Sequence, residues 1–245
     1  MTFAKSVPFS RHSENLAEVK GTIVQLQRLH KAEIRSTGSF RNPNDAQPSV
    51  LAIRRVHLLL VGIMAEATLK KVIADPTGFS DLERQVIWRQ NTQELQWRKT
   101  VELAFRRHYD IASTTTLDSS SLGSVPNAQR LMLLALIRTQ LKPVITDRNK
   151  IAHANWIWQL KSQSNDQFVP NPRNHATYDY CKIEALKKAT QALGELVYLL
   201  AVSEPTFQRD YDKQVKIIEQ SKLVIDDSAS SYGELCEFLG NSRHP

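Results

Sequence analysis

The sequence contains little of what marks disulfide-stabilised, metal-binding or membrane proteins. Only two of its 245 residues are cysteines, Cys181 and Cys236, and neither forms a CxxC pair or has a histidine nearby. We therefore expect no disulfide framework, no zinc site and no cofactor. The longest apolar runs, such as residues 58–65, fall short of the roughly 18 residues that span a bilayer, and residues 1–5 lack the apolar core of a signal peptide. A cytoplasmic location is the expectation.

Several common catalytic patterns are missing as well. No glycine-rich phosphate loop, Ser-His-Asp arrangement, internal repeat or low-complexity tract can be assigned. The chain does have ordinary core-forming content, 41% hydrophobic, and a formal charge of +7 in which acids are interspersed with bases. This charge indicates a basic surface on a folded body and favours an anionic partner, with RNA the leading candidate.

Helical spacing of apolar residues recurs along the chain and predicts an all-α fold. An amphipathic helix is expected from Ser13 to Ile34, followed by a polar loop over residues 35–49. The most apolar segment, residues 49–74, is predicted to be the central core helix. The predicted parts are an N-terminal helical arm with its linker, a helical bundle, and a C-terminal helical extension packed on the bundle: residues 1–48, 49–203 and 204–245.

A capping box marks the start of the next helix. Ser80-x-x-Glu83 has the form in which two side chains satisfy each other's backbone amides. The apolar pattern then extends this helix, as one long element, to about Ile111. Its outer face is basic and includes Arg106 and Arg107. This face is either an ordinary solvated surface or an electrostatic track for a polyanion.

Prolines organise the segment that follows. After a Ser/Thr-rich loop, Pro126 is expected to start a helix that runs to Leu141. Pro143 lacks an amide proton and clashes with the preceding turn, so the next segment should be a kinked continuation or a new short helix from about Lys142. Residues 156–160 alternate in polarity and favour a short extended piece.

The segment Asp-Arg-Asn-Lys-Ile-Ala-His at residues 147–153 combines groups suited to phosphodiester chemistry. Arg148 offers a planar, permanently charged fork for phosphate, and His153 can give or take a proton near neutral pH. On a helix Asn149 shares a face with His153 and can hold the imidazole, whereas Arg148 and His153 lie about 140° apart. An Arg/His pair alone arises by chance about once or twice in such a chain, and the asparagine makes the match more specific.

In an all-α chain with a long apolar helix upstream, this Arg-Asn-x-x-x-His stretch resembles the motif of the HEPN superfamily (higher eukaryotes and prokaryotes nucleotide-binding). The resemblance covers residues 148–153, with looser support from the helix order over 49–203. It implies a HEPN-like bundle and a metal-independent endoribonuclease of toxin–antitoxin, abortive-infection or CRISPR-associated type. Two copies of the motif would meet in a homodimer to form one composite site.

The resemblance also implies a role for each matching residue. His153 would be the general acid/base, Arg148 the contact to the phosphate and transition state, and Asn149 the orienting residue. Attack by a ribose 2′-hydroxyl would leave 2′,3′-cyclic phosphate and 5′-hydroxyl ends. Where a branch of the family controlled by a nucleotidyltransferase antitoxin has a tyrosine, this chain has Asn155, which argues against that mode of control.

Supporting residues are predicted outside the motif. Glu66 lies deep in the apolar helix on the same side as Lys70. It is either a boundary residue paired with Lys70 or the group that orients Arg148 or His153. Aromatic side chains stack on bases in some RNA sites but are more often structural beside a packed helix. The candidate RNA contacts are Lys150, Trp156, Arg106 and Arg107.

Three functions remain open from the sequence. The first is a homodimeric HEPN ribonuclease that cleaves RNA as a toxin or anti-phage defence effector, with an antitoxin or regulatory protein as a further partner. The second is a non-catalytic HEPN-type module that binds RNA, a nucleotide or a protein. The third is a helical adaptor in which Arg148 and His153 make a structural network. Intact Arg148 and His153 favour the first.

Overall fold

The structure, a computed structural model, describes residues 7–37, 47–153 and 178–241. These residues form helices without a strand, which confirms the all-α prediction. None of these helices is long and apolar enough to cross a membrane. The helices are α1 (Val7–Thr37), α2 (Pro48–Ala74), α3 (Asp81–Trp88), α4 (Gln93–His108), α5 (Ser119–Leu122), α6 (Ser124–Leu136), α7 (Lys142–Ala152), α8 (Tyr180–Val202), α9 (Glu204–Asp226) and α10 (Ser228–Asn241).

Two helices, α2 and α8, form the centre of the molecule. Both bury apolar side chains around most of their circumference, because α2 packs against α1, α7 and α8 while α8 also packs against α4 and α9. The largest apolar cluster joins α2, α4, α6 and α8 around Trp97 and Phe105, which are fully buried. The prediction of a central core helix at residues 49–74 is therefore confirmed within one residue at its start.

The segment predicted as an N-terminal arm is α1, and it packs along α2. Leu16 and Ile23 of α1 join Leu58 and Val61 of α2 in a second apolar cluster. The C-terminal segment contributes α9, which packs along α8, and α10, whose Tyr232 is fully buried. Both terminal segments thus contribute buried side chains to apolar clusters of the bundle.

The predicted single helix from residue 81 to about Ile111 is wrong, because the chain breaks into α3 and α4. The capping box itself is present: the Ser80 hydroxyl accepts from the Glu83 amide, and the Ser80 amide donates to the Glu83 carboxylate. A second cap then restarts the helix, since the Thr92 side chain accepts from the amide of Leu95. The resulting turn at residues 89–92 points the start of α4 toward α7.

A π-helical turn precedes the motif helix. It spans Ile137–Leu141, and the Lys142 amide donates to the Ile137 carbonyl five residues back. The widened turn lies just before Pro143, which has no amide proton and presses on the preceding turn. α7 then begins at Lys142, as predicted, whereas α6 begins at Ser124, two residues before the expected start at Pro126.

Candidate functional site

Arg148 is placed by a close approach of α7 to α2. Gly62 of α2 faces the base of the Arg148 side chain, and a Cβ at position 62 would lie 2.7 Å from Arg148 Cγ and even closer to its Cβ. The absence of a side chain at Gly62 is therefore what lets α7 reach this position. One helical turn after Gly62, the Glu66 carboxylate accepts a hydrogen bond from Arg148 Nη2.

Glu66 binds two cations at once. Its other carboxylate oxygen lies 2.7 Å from Lys70 Nζ, one turn along α2. Burial by itself raises the pKa of the Glu66 carboxyl, but the hydrogen bond from Lys70 and the charge of Arg148 outweigh it, so the pKa lies below its ordinary value. The pair with Lys70 and the predicted contact with Arg148 are therefore both present.

Asn149 contacts Arg148 in the single chain. Its side-chain oxygen accepts a hydrogen bond of 2.8 Å from Arg148 Nη1. We expected Asn149 to hold the imidazole of His153 instead, and among the described residues no hydrogen bond joins those two side chains. The geometry explains the difference, because Arg148 reaches Asn149 as its immediate neighbour while its other amino group is held by Glu66.

His153 ends the motif helix. It is the C-terminal cap of α7, where its amide donates to the Asn149 carbonyl at 3.0 Å, and its side chain is exposed. The imidazole and the Arg148 guanidinium therefore leave the helix in different directions, as the angle of about 140° between those positions predicts. Among the described residues of one copy, no hydrogen bond joins the side chain of His153 to Arg148, Glu66 or Asn149.

A cleft of about 650 Å³ opens beside Arg148. Its walls are α2, the turn between α3 and α4, and one face of α7, whose residues follow the three-to-four spacing of a helix. Arg148 lies where the α2 and α7 walls meet. The lining residues on α7 are Lys142, Ile145, Thr146, Arg148 and Asn149; those on α2 are Glu66, Leu69 and Lys70; those at the α3–α4 turn are Trp88, Asn91, Thr92, Gln93, Glu94 and Gln96.

The ion pairs in the cleft contain one more cation than carboxylates. Lys142 Nζ lies 3.0 Å from the Glu94 carboxylate, which ties the start of α7 to the start of α4. Glu66 serves both Lys70 and Arg148, as described above. Three cations thus face two carboxylates, and the surplus positive charge lies in a concave site. Such a site favours an anionic ligand.

The remaining predicted site residues that the structure describes do not line the cleft. Arg106 Nη1 donates to the carbonyls of Ala112 (2.6 Å) and Thr115 (2.9 Å), and Arg107 Nη1 donates to the carbonyl of Gly78. These two guanidiniums hold loops in place and do not line the cleft. Lys150 belongs to α7 but is likewise not among the cleft residues. Trp156 and the predicted extended piece at 156–160 lie outside the described residues.

The site also contains residues that the sequence did not single out. Trp88, Asn91, Gln93 and Lys142 all line the cleft. The first three come together because the chain turns between α3 and α4, and the signal for this turn was Thr92, a residue that commonly caps helices. In the part of the chain that the structure describes, no three His, Cys, Asp or Glu side chains cluster as metal ligands do.

Comparison with protein-family models, with curated proteins and with solved structures finds no match for this chain. The site is therefore interpreted from its own residues and from the motif at 148–153.

Proposed function

We propose that the chain is a HEPN-type, metal-independent endoribonuclease that acts as a homodimer. The observation that carries the proposal is the fixed guanidinium of Arg148, which is held by Glu66 and Asn149 at the edge of a cleft with surplus positive charge. Guanidinium groups held in place before the substrate binds stabilise charge that develops on phosphate oxygens. His153, exposed at the end of the same helix, supplies the proton-transfer group that RNA cleavage needs.

In the proposed reaction the RNA provides its own nucleophile. A ribose 2′-hydroxyl attacks the adjacent phosphorus, its proton passes to a base, and the bond from phosphorus to the 5′-oxygen breaks as that oxygen takes up a proton. The products are a 2′,3′-cyclic phosphate and a 5′-hydroxyl end. His153 carries the proton transfers, and Arg148 binds the phosphate oxygens as their charge increases.

The directions of the two side chains support the proposed homodimer. Because His153 and Arg148 leave α7 about 140° apart, a phosphate on Arg148 is most simply reached by the imidazole of a second copy. A composite site of this kind makes activity depend on assembly. That dependence suits a toxin or defence effector, which an antitoxin or regulatory protein would hold inactive by blocking assembly.

Cleavage of end-labelled RNA in the presence of EDTA tests the proposal. The wild-type chain should cleave, and Arg148→Ala and His153→Ala should each lower the rate by roughly 100-fold or more, the usual effect of removing an acid/base or charge-stabilising group. Arg209→Ala, an exposed arginine on α9, is the matched control and should retain full activity. If a pure, folded wild-type dimer cleaves no RNA, the nuclease proposal is wrong.

A second candidate is a non-catalytic HEPN-type module that binds RNA, a nucleotide or a protein. The observation in its favour is that Glu66 already neutralises part of the Arg148 charge. A module of this kind would retain RNA on a filter without cleaving it. The two measurements separate the two candidates. If Arg148→Ala weakens the retention of RNA on the filter and no protein gives a cleavage product, the binding module is supported.

A further inference from the structure

The cleft beside Arg148 has an aromatic wall. Trp88, the last residue of α3, lines the cleft and is 42% exposed, although tryptophan is a side chain that folding usually covers. A volume of about 650 Å³ lies within the range of small-molecule sites, roughly 300–1,000 Å³. An exposed indole in a concave site offers a flat surface on which a planar ring can stack.

Amide side chains stand beside this indole. Gln93, the first residue of α4, lines the cleft, and its Nε2 is buried without a hydrogen-bond partner among the described residues. A buried amide donor without a partner costs free energy, and a ligand acceptor would remove that cost. Asn91, two residues earlier, is exposed and lines the same wall. Amides offer one donor and one acceptor side by side, which matches the edge of a nucleobase.

The opposite wall offers donors for phosphate. Glu66 and Asn149 each engage one N–H of Arg148, and a guanidinium has five, so three have no partner among the described residues, including the buried one on Nε. Lys142 is half exposed and lies on the same face of α7 as Thr146, whose hydroxyl is a further donor. Base-type contacts and phosphate-type contacts therefore occupy different walls of one cleft.

We infer that this cleft is a nucleotide-binding subsite. It holds one nucleotide of a single strand with the base stacked on Trp88, the base edge on the amides of Gln93 and Asn91, and the phosphate on Arg148 and Lys142. The inference deepens the proposed function, since Arg148 belongs to both. It adds the residues that select the nucleotide next to the cleaved phosphate. Binding in this subsite does not itself require cleavage.

Calorimetric titration of the full-length wild-type chain with the four ribonucleoside 3′-monophosphates tests the subsite, because these ligands have no 5′-oxygen leaving group on phosphorus and cannot be cleaved. We expect binding that differs between bases, and Trp88→Leu should weaken it by roughly 5- to 150-fold, the range for loss of one stacking contact. Trp88→Phe, which keeps an aromatic face, should restore part of the affinity. Gln93→Leu should weaken binding about fivefold, whereas Gln85→Leu, on the exposed side of α3, should not.

Three outcomes distinguish this inference from the proposed function. If binding depends on the base and on Trp88 but the chain never cleaves RNA, the subsite is supported and the proposed nuclease activity is contradicted. The subsite is contradicted and the nuclease is retained if the chain cleaves RNA but binds no mononucleotide, and if Trp88→Leu and Trp88→Phe cleave all sequences at the wild-type rate. Binding of inorganic phosphate that equals binding of every nucleotide would also overturn the subsite, because it would leave no role for the base.

Discussion

Gly62 of α2 and Arg148 of α7 lie in direct contact, with no room between them for even a methyl group. The contact sets the distance between the two helices at the point where Arg148 reaches Glu66. A residue without a side chain in the most apolar helix thereby controls the position of the guanidinium proposed to bind phosphate.

We predict that Gly62→Ala moves Arg148 and costs stability. Alanine is intrinsically better than glycine in a helix by about 1 kcal/mol, but the added Cβ meets Arg148 Cγ at 2.7 Å and the Val144 carbonyl oxygen at 3.4 Å. Overpacking of this kind costs about 1–3 kcal/mol. Urea denaturation should show a lower free energy of unfolding, and RNA cleavage should fall with it.

The control for this substitution is Gly21→Ala. Gly21 is exposed on α1, and a Cβ there meets nothing within 4 Å. The alanine should raise the free energy of unfolding by up to about 1 kcal/mol, because only the helix preference changes. If both alanines stabilise the protein equally and both variants cleave RNA, the Gly62 contact does not constrain the site.

Glu66→Gln tests the electrostatic support of Arg148. The pKa of Glu66 lies below its ordinary value, so the ionised carboxylate stabilises the fold above the unfolded-state pKa, and this contribution is lost as the pH falls through the folded-state pKa. At pH 7 the variant should unfold with a free energy lower by about 1 kcal/mol, as expected for a partly exposed pair. The difference between the two proteins should begin to decrease as the pH falls below the ordinary carboxyl pKa of about 4 and should disappear only below the lower folded-state pKa, and a difference that stays constant with pH would contradict this assignment.

The pair His30 and His57 predicts a loss of stability in mild acid. Both rings are fully buried between α1 and α2, with their Nδ1 atoms 3.4 Å apart. Burial first, and then the charges of His57 and Arg54, lower the pKa of His30 to about 3. The unfolded chain takes up a proton near pH 6.5 and the folded chain does not, so stability should decrease by about 1.4 kcal/mol per pH unit below 6.5, until the folded-state pKa is reached.

Substitution of His30 should flatten this pH dependence. His30→Leu removes the titrating group. The slope of the unfolding free energy against pH between pH 6 and pH 4 should therefore decrease by about 1.4 kcal/mol per pH unit, the contribution of one proton. Gln85→Leu, at an exposed position whose side chain does not titrate, serves as the control and should keep the wild-type slope. Equal slopes in all three proteins would mean that another group controls acid unfolding.

The proposed composite site predicts complementation between two inactive variants. Arg148→Ala and His153→Ala should each be inactive alone, whereas a heterodimer made by co-expression contains one intact Arg148 facing one intact His153. Cleavage should therefore reappear in the mixed, affinity-purified heterodimer. If both residues of a site come from the same copy, the mixture should stay inactive, although an equal mixture of wild type and His153→Ala would still cleave RNA.

Local patterns in the sequence predicted much of the fold and only part of the site. The Ser80 capping box and the apolar run at 49–74 act over a few residues, so their outcomes could be anticipated. The break at Thr92 was missed because the apolar spacing continued across it, although a capping residue was present. The long apolar pattern was given more weight than the short polar one.

Contacts between distant helices could not be predicted from spacing. His57 had no acidic partner nearby in the chain, but α8 brings Glu184 to 3.3 Å from its Nε2. The close fit of Gly62 against Arg148 is likewise a property of two helices in contact. Glu66 was anticipated in part: its place at the edge of an apolar stripe left two possibilities open, a pair with Lys70 or a contact with Arg148 or His153, and the structure shows contacts with Lys70 and Arg148.

The π-helical turn at Ile137–Leu141 sets the rotation of α7 about its own axis. An inserted residue changes the azimuth of all later side chains by about 100°, the angle per residue of a helix. None of these five residues lines the cleft, yet they set which face of α7 does. The directions in which the Arg148 and Asn149 side chains point therefore depend on residues that precede the motif. Two chains with identical residues at 148–153 would point these side chains in different directions if one chain lacked the π-helical turn.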